Sequence, residues 1–302
     1  MKNRLKKNRL KKNSIALAAG ATLTALGLVG CAPSSPAVST ETAPSALSVF
    51  EHVHGLGIDS DDNVLVASHS GIYRVDAAGE LSGPLGGESF DAMGFASTGD
   101  HYFVSGHPSA GSTTFEGPNL GLLSSTDAGE SWTSVSLAGE TDFHTLSVNQ
   151  NDPTRLYGLS SDGAPLLASA DGGVTWSEGA SIQAYAVVPD PNVPDRLYAT
   201  TPEGMLVSDD AGKSFSSLAD TPLLYLLAAP SDVAGALVGV DVEGVVWVRA
   251  AEGGPWSDRG AVEGTAYALT TGADGERIAL VDDRGLVESF DGGESWTVLT
   301  AG

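Results

Sequence analysis

A short motif recurs along the chain at a nearly constant spacing. Each copy has Ser two residues before an Asp, Gly two residues after that Asp, and an aromatic residue three positions beyond the Gly. The four complete copies have their aspartates at Asp127, Asp171, Asp210 and Asp291. A decayed copy keeps Gly253 and Trp256 but has Ala251 in place of the Asp, and a weaker one surrounds Asp76. These six positions are 51, 44, 39, 41 and 40 residues apart, so the body of the chain is a repeat array.

Each repeat has room for four short strands. In the fourth unit, apolar segments at 184–188, 196–200, 204–208 and 214–218 are separated by turn residues. A unit of about 42 residues has the size of a four-stranded propeller blade. Six units fill residues 48–302, which predicts an all-β fold and a single six-bladed β-propeller domain. Seven blades is the main alternative.

The repeated motif resembles the Asp-box, and the chain resembles the BNR/Asp-box propellers of the sialidase superfamily. In such a motif the carboxylate accepts hydrogen bonds from a tight turn that contains Gly, and the aromatic ring packs between neighbouring sheets. The resemblance implies that the four aspartates are structural and lie far from any active site.

The N-terminal segment has the order of a bacterial export signal. Seven of the 15 Lys and Arg residues lie within the first 13 positions, followed by an apolar run over 14–27 and then Leu28-Val29-Gly30-Cys31. That last tetrapeptide resembles a lipobox, in which the Cys is diacylated and becomes the new N-terminus. We therefore expect a lipoprotein signal peptide at 1–30 and a Pro/Ser/Thr-rich tether at 31–47 that starts at lipidated Cys31. The alternative is an ordinary signal peptide with a chance Cys.

These features predict a location and exclude some partners. The expected location is the extracytoplasmic side of the cell membrane, held there through the lipid on Cys31. The apolar run is shorter than the roughly 20 residues that a membrane-spanning helix needs. The 38 acidic residues against 15 basic ones argue against nucleic acid, because phosphate binding needs a basic surface. The single Cys excludes a disulfide framework and a thiolate metal cluster.

Alignment of the first strand of every unit predicts which side chains line the central channel. The second position of these strands holds His54, Met93, His144, Tyr185, Tyr225 and Tyr267. Two residues earlier stand His52, Asp91, Asp142, Gln183, Leu223 and Thr265. Side chains two residues apart share one face of a strand. Half of the ring is therefore expected to be His, Asp and Met, and the other half a ring of Tyr.

Two further histidines align at the ends of second strands. His69 in the first unit and His107 in the second are expected to open onto the same channel mouth, whereas His101 falls at the other end of its strand. The insertion at 108–119 follows His107 and is expected to overhang this mouth as a lid.

Imidazole, carboxylate and thioether together are typical of a transition-metal site. We expect His52, His54, Asp91, Met93 and His144 to form one site, with His69 and His107 at its rim. Copper is the first candidate metal because a thioether favours a soft ion, and zinc is the second. A small ligand such as a carbohydrate, proton transfer, or a hydrated polar channel with no ligand are the alternatives.

Several segments are similar to actinobacterial lipoproteins labelled BNR-repeat or glycosyl-hydrolase-like proteins: EHVHGLGID, ASHSGIYRV, FDAMGFAS, VSGHP and DFHTLSV. This resemblance implies glycoside hydrolysis, for which Asp91 and Asp142 are the candidate catalytic carboxylates. Sialidases of the superfamily clamp a substrate carboxylate with three arginines. No Arg falls on a first strand, and only Arg284 is expected near the channel mouth. The sequence therefore argues against sialidase activity.

Overall fold

Short segments rich in Val, Leu, Ile and Tyr alternate along the chain with turns rich in Gly, Asp and Ser, and each such segment forms a β-strand. The computed structural model describes residues 52–115, 117–161 and 165–302. The expected signal peptide, tether and lipidated Cys31 lie outside these residues. Within them, the helical residues form a single 3₁₀ turn at Leu85–Gly87, and no helix is long and apolar enough to cross a membrane.

Six antiparallel sheets, each built from four consecutive strands, form six blades. Blade one contains β1 (Val53–Ile58), β2 (Val64–Ser68), β3 (Gly71–Val75) and β4 (Leu81–Ser82). Blade two contains β5 (Phe90–Thr98), β6 (His101–Pro108), β7 (Leu122–Ser125) and β8 (Thr133–Ser136). Blade three contains β9 (Phe143–Asn149), β10 (Asp152–Ser160), β11 (Leu167–Ser169) and β12 (Ser177–Glu178).

The second half of the chain repeats this arrangement. Blade four contains β13 (Ala186–Pro189), β14 (Leu197–Thr201), β15 (Gly204–Ser208) and β16 (Ser216–Ser217). Blade five contains β17 (Leu224–Ala228), β18 (Leu237–Asp241), β19 (Val245–Arg249) and β20 (Trp256–Ala261). Blade six contains β21 (Ala268–Thr271), β22 (Ile278–Asp282), β23 (Gly285–Ser289) and β24 (Thr297–Ala301).

The hydrophobic core lies between the blades. Each of the six buried clusters draws its side chains from two neighbouring blades, and one of them joins blade six to blade one. A sheet that buries both faces against its neighbours in this way closes into a ring. The structure is therefore a six-bladed β-propeller, which confirms the predicted fold and excludes the seven-bladed alternative.

Among the described residues, each blade is built from consecutive strands, and side-chain contacts join the last blade to the first. Thr300 Oγ1 in blade six donates a hydrogen bond to the Gly79 carbonyl of blade one at 2.9 Å. Arg277 Nη1 donates to the Asp62 carbonyl, also at 2.9 Å. The first and last blades are thus joined by packing and by these polar contacts.

Four turns contain the repeated motif, and we call them the Ser-Asp turns. They share one hydrogen-bond pattern. In blade three, Gly173 N donates to Ser169 Oγ at 2.9 Å, and Ser169 Oγ donates to Asp171 Oδ1 at 2.8 Å. Thr175 donates to the same carboxylate through its backbone N at 2.9 Å and its hydroxyl at 2.6 Å. The turns at Asp127, Asp210 and Asp291 repeat these bonds with Ser in place of Thr175.

The Ser-Asp turns lie at the end of the blades opposite the clustered histidines. Each joins the third and fourth strands of its blade, and Ala211 N in one of them donates to the Asp195 carbonyl beside the start of β14. His69, in contrast, lies in the turn after β2, at the other end of the sheet. The aromatic residue of the motif reaches the neighbouring blade: Trp176 Nε1 donates to Ser136 Oγ at 3.0 Å.

Candidate functional site at the channel mouth

The inner strands of all six blades surround a central channel with a volume of about 540 Å³. His54 and His144 line it on one side, and Tyr185 and Tyr267 line it on the other. The channel thus has an imidazole side formed by blades one and three and a phenol side formed by blades four and six.

The six aligned inner-strand positions that the sequence predicted to surround the channel lie at β-bulges. In blade one, Val53 pairs with Ser68 and Gly55 pairs with Ala67, so His54 is one extra residue on β1. The inner strands of blades two, three and five have the same irregularity, at 92–93, His144 and Tyr225. In blades four and six, Thr200 and Val281 each pair with two successive inner-strand residues, Tyr185–Ala186 and Tyr267–Ala268. The six positions are structurally equivalent because each lies at such an irregularity, which re-aims the side chain.

Three of the predicted site residues form a first group, which we call the Asp91 triad. His69 Nδ1 lies 2.9 Å from Asp91 Oδ2, and His54 Nε2 lies 3.8 Å from Asp91 Oδ1. The two imidazole rings pack edge to face, with centroids 4.5 Å apart. One ligand atom from each residue lies within 4.8 Å of the other two, close enough that small side-chain rotations would bring all three onto a single metal ion.

Two facing atoms of this triad are buried and unsatisfied. Among the described residues, His54 Nε2 and Asp91 Oδ1 have no hydrogen-bond partner. Burial lowers the pKa of His54, and the neighbouring His69 lowers it further, whereas Asp91 raises it. A lowered pKa favours the neutral ring, which is the form of histidine that binds a metal ion.

A second group, the Asp142 triad, lies between blades two and three. The Asp142 side chain is only 7% exposed, and its Oδ2 lies 2.7 Å from His144 Nε2 and 3.2 Å from His107 Nε2. Its other oxygen, Oδ1, is buried without a hydrogen-bond partner among the described residues. These three residues also bring their ligand atoms within 4.8 Å of one another.

The tautomer of His107 follows from its other contact. Its Nδ1 lies 2.9 Å from the Pro118 carbonyl oxygen, which can only accept a hydrogen bond, so Nδ1 carries a proton. In a neutral ring Nε2 then has a lone pair, and that lone pair faces the Asp142 carboxylate. Two acceptors in contact repel, so the contact needs a positive charge: a second proton on the ring or a cation shared with the carboxylate.

The predicted single site is therefore divided into two groups, and two residues have a more direct part than the sequence indicated. His69 and His107, expected at the rim, both contact a carboxylate. His52 is exposed and packs its ring edge to face against His69, with centroids 4.7 Å apart. Met93 lies partly buried in β5 at the ring position between those of His54 and His144. His101 hydrogen-bonds Ser124 at the other end of β6, as expected from its position.

The phenol side is less uniform than the alignment indicated. Tyr185 and Tyr267 are exposed in the channel. Tyr225 instead packs among the buried residues between blades five and six, and its hydroxyl donates to the Ala266 carbonyl at 2.8 Å.

The insertion after His107 packs at the junction of blades one and two, and none of its described residues lines the channel, so the expected lid is not seen. Phe115 packs against Phe90, and Ser109 Oγ donates to the Ser89 carbonyl at 2.7 Å. Pro118, near its end, supplies the carbonyl that fixes His107. Sequence reasoning missed Pro118 because a backbone carbonyl contact leaves no signal in residue types.

The one arginine expected at this mouth is paired with a carboxylate of the protein itself. Arg284, the one Arg expected here, forms a two-point ion pair with buried Asp282 at 3.1 and 2.7 Å. Its guanidinium is therefore already occupied by a protein carboxylate.

Comparison with known proteins supports the fold. A GH74 enzyme from Niastella koreensis aligns with a TM-score of 0.55 and 19% identity over 82% of this chain and 45% of that chain. An ancestral GH74 enzyme aligns with a TM-score of 0.51 and 17% identity over 82% of this chain and 38% of that chain. A chain of the nidogen/laminin complex gives a TM-score of 0.58 and 11% identity over 78% of this chain and 92% of that chain.

These likenesses show the fold alone. The chain spans less than half the length of either GH74 enzyme. No protein-family model and no curated protein matches it.

Proposed function

We propose that this chain is a lipid-anchored, extracytoplasmic propeller that binds a transition-metal ion at the mouth of its channel. The observation that carries the proposal is the facing pair of buried, unsatisfied atoms in the Asp91 triad, His54 Nε2 and Asp91 Oδ1. Leaving a buried polar group without a partner costs about 1–3 kcal/mol. A metal ion coordinated by both atoms removes that cost.

The geometry and chemistry of the triad suit such an ion. Imidazole nitrogens bind Zn²⁺ at roughly 2.0–2.1 Å and carboxylate oxygens at roughly 2.0–2.2 Å, so a nitrogen and an oxygen on one ion lie at most about 4.3 Å apart. The 3.8 Å between His54 Nε2 and Asp91 Oδ1 falls within that limit. Copper remains the first candidate because Met93 lies on the adjacent inner strand, and zinc is the second.

Calorimetric titration with Cu²⁺ and Zn²⁺ tests this function. Wild-type protein is expected to bind at least one of them at pH 7.5, and His54→Ala should weaken the binding at least tenfold because it removes a ligand. His101→Ala is the matched control, since His101 lies in blade two at the opposite end of the sheet and should leave affinity unchanged. Titrations without heat for both metals, or equal losses in the two variants, would contradict the proposal.

The anchoring part of the proposal rests on the N-terminal sequence. The basic segment, the apolar run and the Leu-Val-Gly-Cys order support export, lipidation of Cys31 and a tether that keeps the propeller near the membrane. The same segments and those around the clustered histidines support kinship with the BNR-repeat, glycosyl-hydrolase-like lipoproteins.

Glycoside hydrolysis is the second candidate function. It is favoured by two carboxylates, Asp91 and Asp142, at the starts of neighbouring inner strands, because glycosidases use such a pair. Each carboxylate, however, already contacts two imidazoles. Release of 4-nitrophenol from a panel of 4-nitrophenyl glycosides, lost in both Asp91→Asn and Asp142→Asn, would favour hydrolysis over metal binding alone.

A further inference from the structure

The two triads use the same kind of junction between blades. His69 directly follows β2 and His107 lies near the end of β6, so both stand where the second strand of their blade ends; Asp91 lies near the start of β5 and Asp142 directly precedes β9. The two His–Asp pairs therefore occupy corresponding places in successive blade junctions, the first through His69 Nδ1 and the second through His107 Nε2. Each pair joins blade n to blade n+1 at the same mouth.

The third ligand distinguishes the triads. In the Asp91 triad it is His54, from the blade that also supplies His69. In the Asp142 triad it is His144, from the blade that also supplies Asp142. The ring position equivalent to His54 is occupied in blade two by Met93, so the second triad is a separate arrangement rather than a copy of the first.

Blade two contributes to both groups without sharing a residue between them. Asp91 on β5 and His107 on β6 are direct partners across the two strands, yet Asp91 belongs to one triad and His107 to the other. Each triad therefore has a complete set of two imidazoles and one carboxylate of its own.

The Asp142 triad has its own indication of a cation. The Pro118 carbonyl fixes the proton of His107 on Nδ1, which leaves Nε2 facing the carboxylate as a second acceptor. Asp142 Oδ1 is also buried without a partner among the described residues. A divalent ion held by His107 Nε2, His144 Nε2 and Asp142 would satisfy both groups.

We propose that the protein binds two divalent transition-metal ions, one at each triad. This inference rests on the proposed function, since it assigns a second ion to the same channel mouth. Each ion has three protein ligands, which leaves room for water or a small molecule as a further ligand on each.

Metal stoichiometry tests the inference. The purified protein is loaded with CuSO₄ or ZnCl₂, freed of excess metal, and measured by elemental analysis, with calorimetry in parallel. Wild-type protein is expected to hold two equivalents, whereas Asp91→Asn and Asp142→Asn should each hold one. Copper-loaded wild type should give two sets of Cu²⁺ signals in electron paramagnetic resonance, and each variant should retain a different one.

Two controls make each outcome decisive. Asp283→Asn changes a carboxylate at the same mouth in blade six, where it accepts a bond from Tyr267, and should keep both equivalents. His144→Ala repeats the loss of the second ion at an exposed residue if Asp142→Asn fails to fold. A single equivalent in wild type, lost in Asp91→Asn alone or in both Asp variants, overturns the second site. A single equivalent lost only in Asp142→Asn overturns the assignment of the proposed function to the Asp91 triad, and no bound metal at all overturns the proposed function itself.

Discussion

At the scale of single residues, the four Ser-Asp turns combine an exposed or half-buried carboxylate with a strongly lowered pKa. The hydroxyl of Thr175 contributes most to holding the pKa of Asp171 at about 2, followed by the backbone N–H of the same residue and the hydroxyl of Ser169. The turns at Asp127, Asp210 and Asp291 have the same value from the same bonds. Because the folded-state pKa lies below the ordinary value of 3.8, these bonds stabilise the fold fully above pH 3.8. The stabilisation is lost as the pH falls toward 2.

A comparison of Asp171→Ala with wild type across acid pH checks this effect. At pH 7 the variant should unfold about 3 °C lower, because the turn loses its acceptor. That gap should narrow between pH 4 and pH 2 as the wild-type carboxylate becomes protonated. Asp61→Ala, at an exposed aspartate outside the Ser-Asp turns, should show no such dependence. A gap that stays constant down to pH 2 would contradict the role given to the charge.

The residue scale also shows what the sequence could not reveal at the candidate site. The residue types were sufficient to select His54, Asp91, Asp142 and His144. The tautomer of His107 depends on the Pro118 carbonyl, and no pattern of side chains encodes that contact.

At the scale of elements, the repeat period predicted strand positions well because each blade repeats one pattern of apolar segments and turns. In blade four the predicted strands at 196–200 and 204–208 correspond to β14 and β15. The predicted inner strand at 184–188 begins two residues late, at Ala186, because the bulge at Tyr185 breaks regular pairing. The outer strand shrinks to Ser216–Ser217, since Ser214 belongs to the Ser-Asp turn and donates to Asp210 through its backbone N and its hydroxyl.

His52 stays outside the site that the sequence predicted for it. The sequence argument placed His52 and His54 on one face of the inner strand. In the structure His52 precedes β1, is exposed, and packs on His69 outside the 4.8 Å group that His54, His69 and Asp91 form. The bulge at the ring position does not account for this, because Asp142 and His144 stand around the same bulge in blade three and share a triad.

At the scale of the whole molecule, the blade count followed from arithmetic: six units of about 42 residues fill the body of the chain, and six blades are observed. Closure of the ring was not readable from the sequence. It depends on contacts between residues more than 200 positions apart, such as Thr300 with Gly79. Only the folded ring brings these residues together.

The proposed lipid anchor also belongs to the scale of the whole molecule. Cys31→Ser removes the thiol that a lipobox requires, so the precursor should remain uncleaved by lipoprotein processing and take up no labelled palmitate in the producing cells. The Ser variant of a residue in the propeller, His101→Ser, serves as the control and should be labelled like wild type. Labelling of the Cys31→Ser protein would show that the lipobox interpretation is wrong.

Anomalous diffraction from crystals soaked in ZnCl₂ or CuCl₂ tests the central claim most directly, because it locates the metal without assuming its ligands. The account predicts a peak at the Asp91 triad, about 2.0–2.2 Å from His54 Nε2 and from an oxygen of Asp91, with a second peak at the Asp142 triad. Crystals of His54→Ala should lose the first peak and keep the second. Peaks at other surface residues only, with none at either triad, would contradict the assignment of this channel mouth as a metal centre.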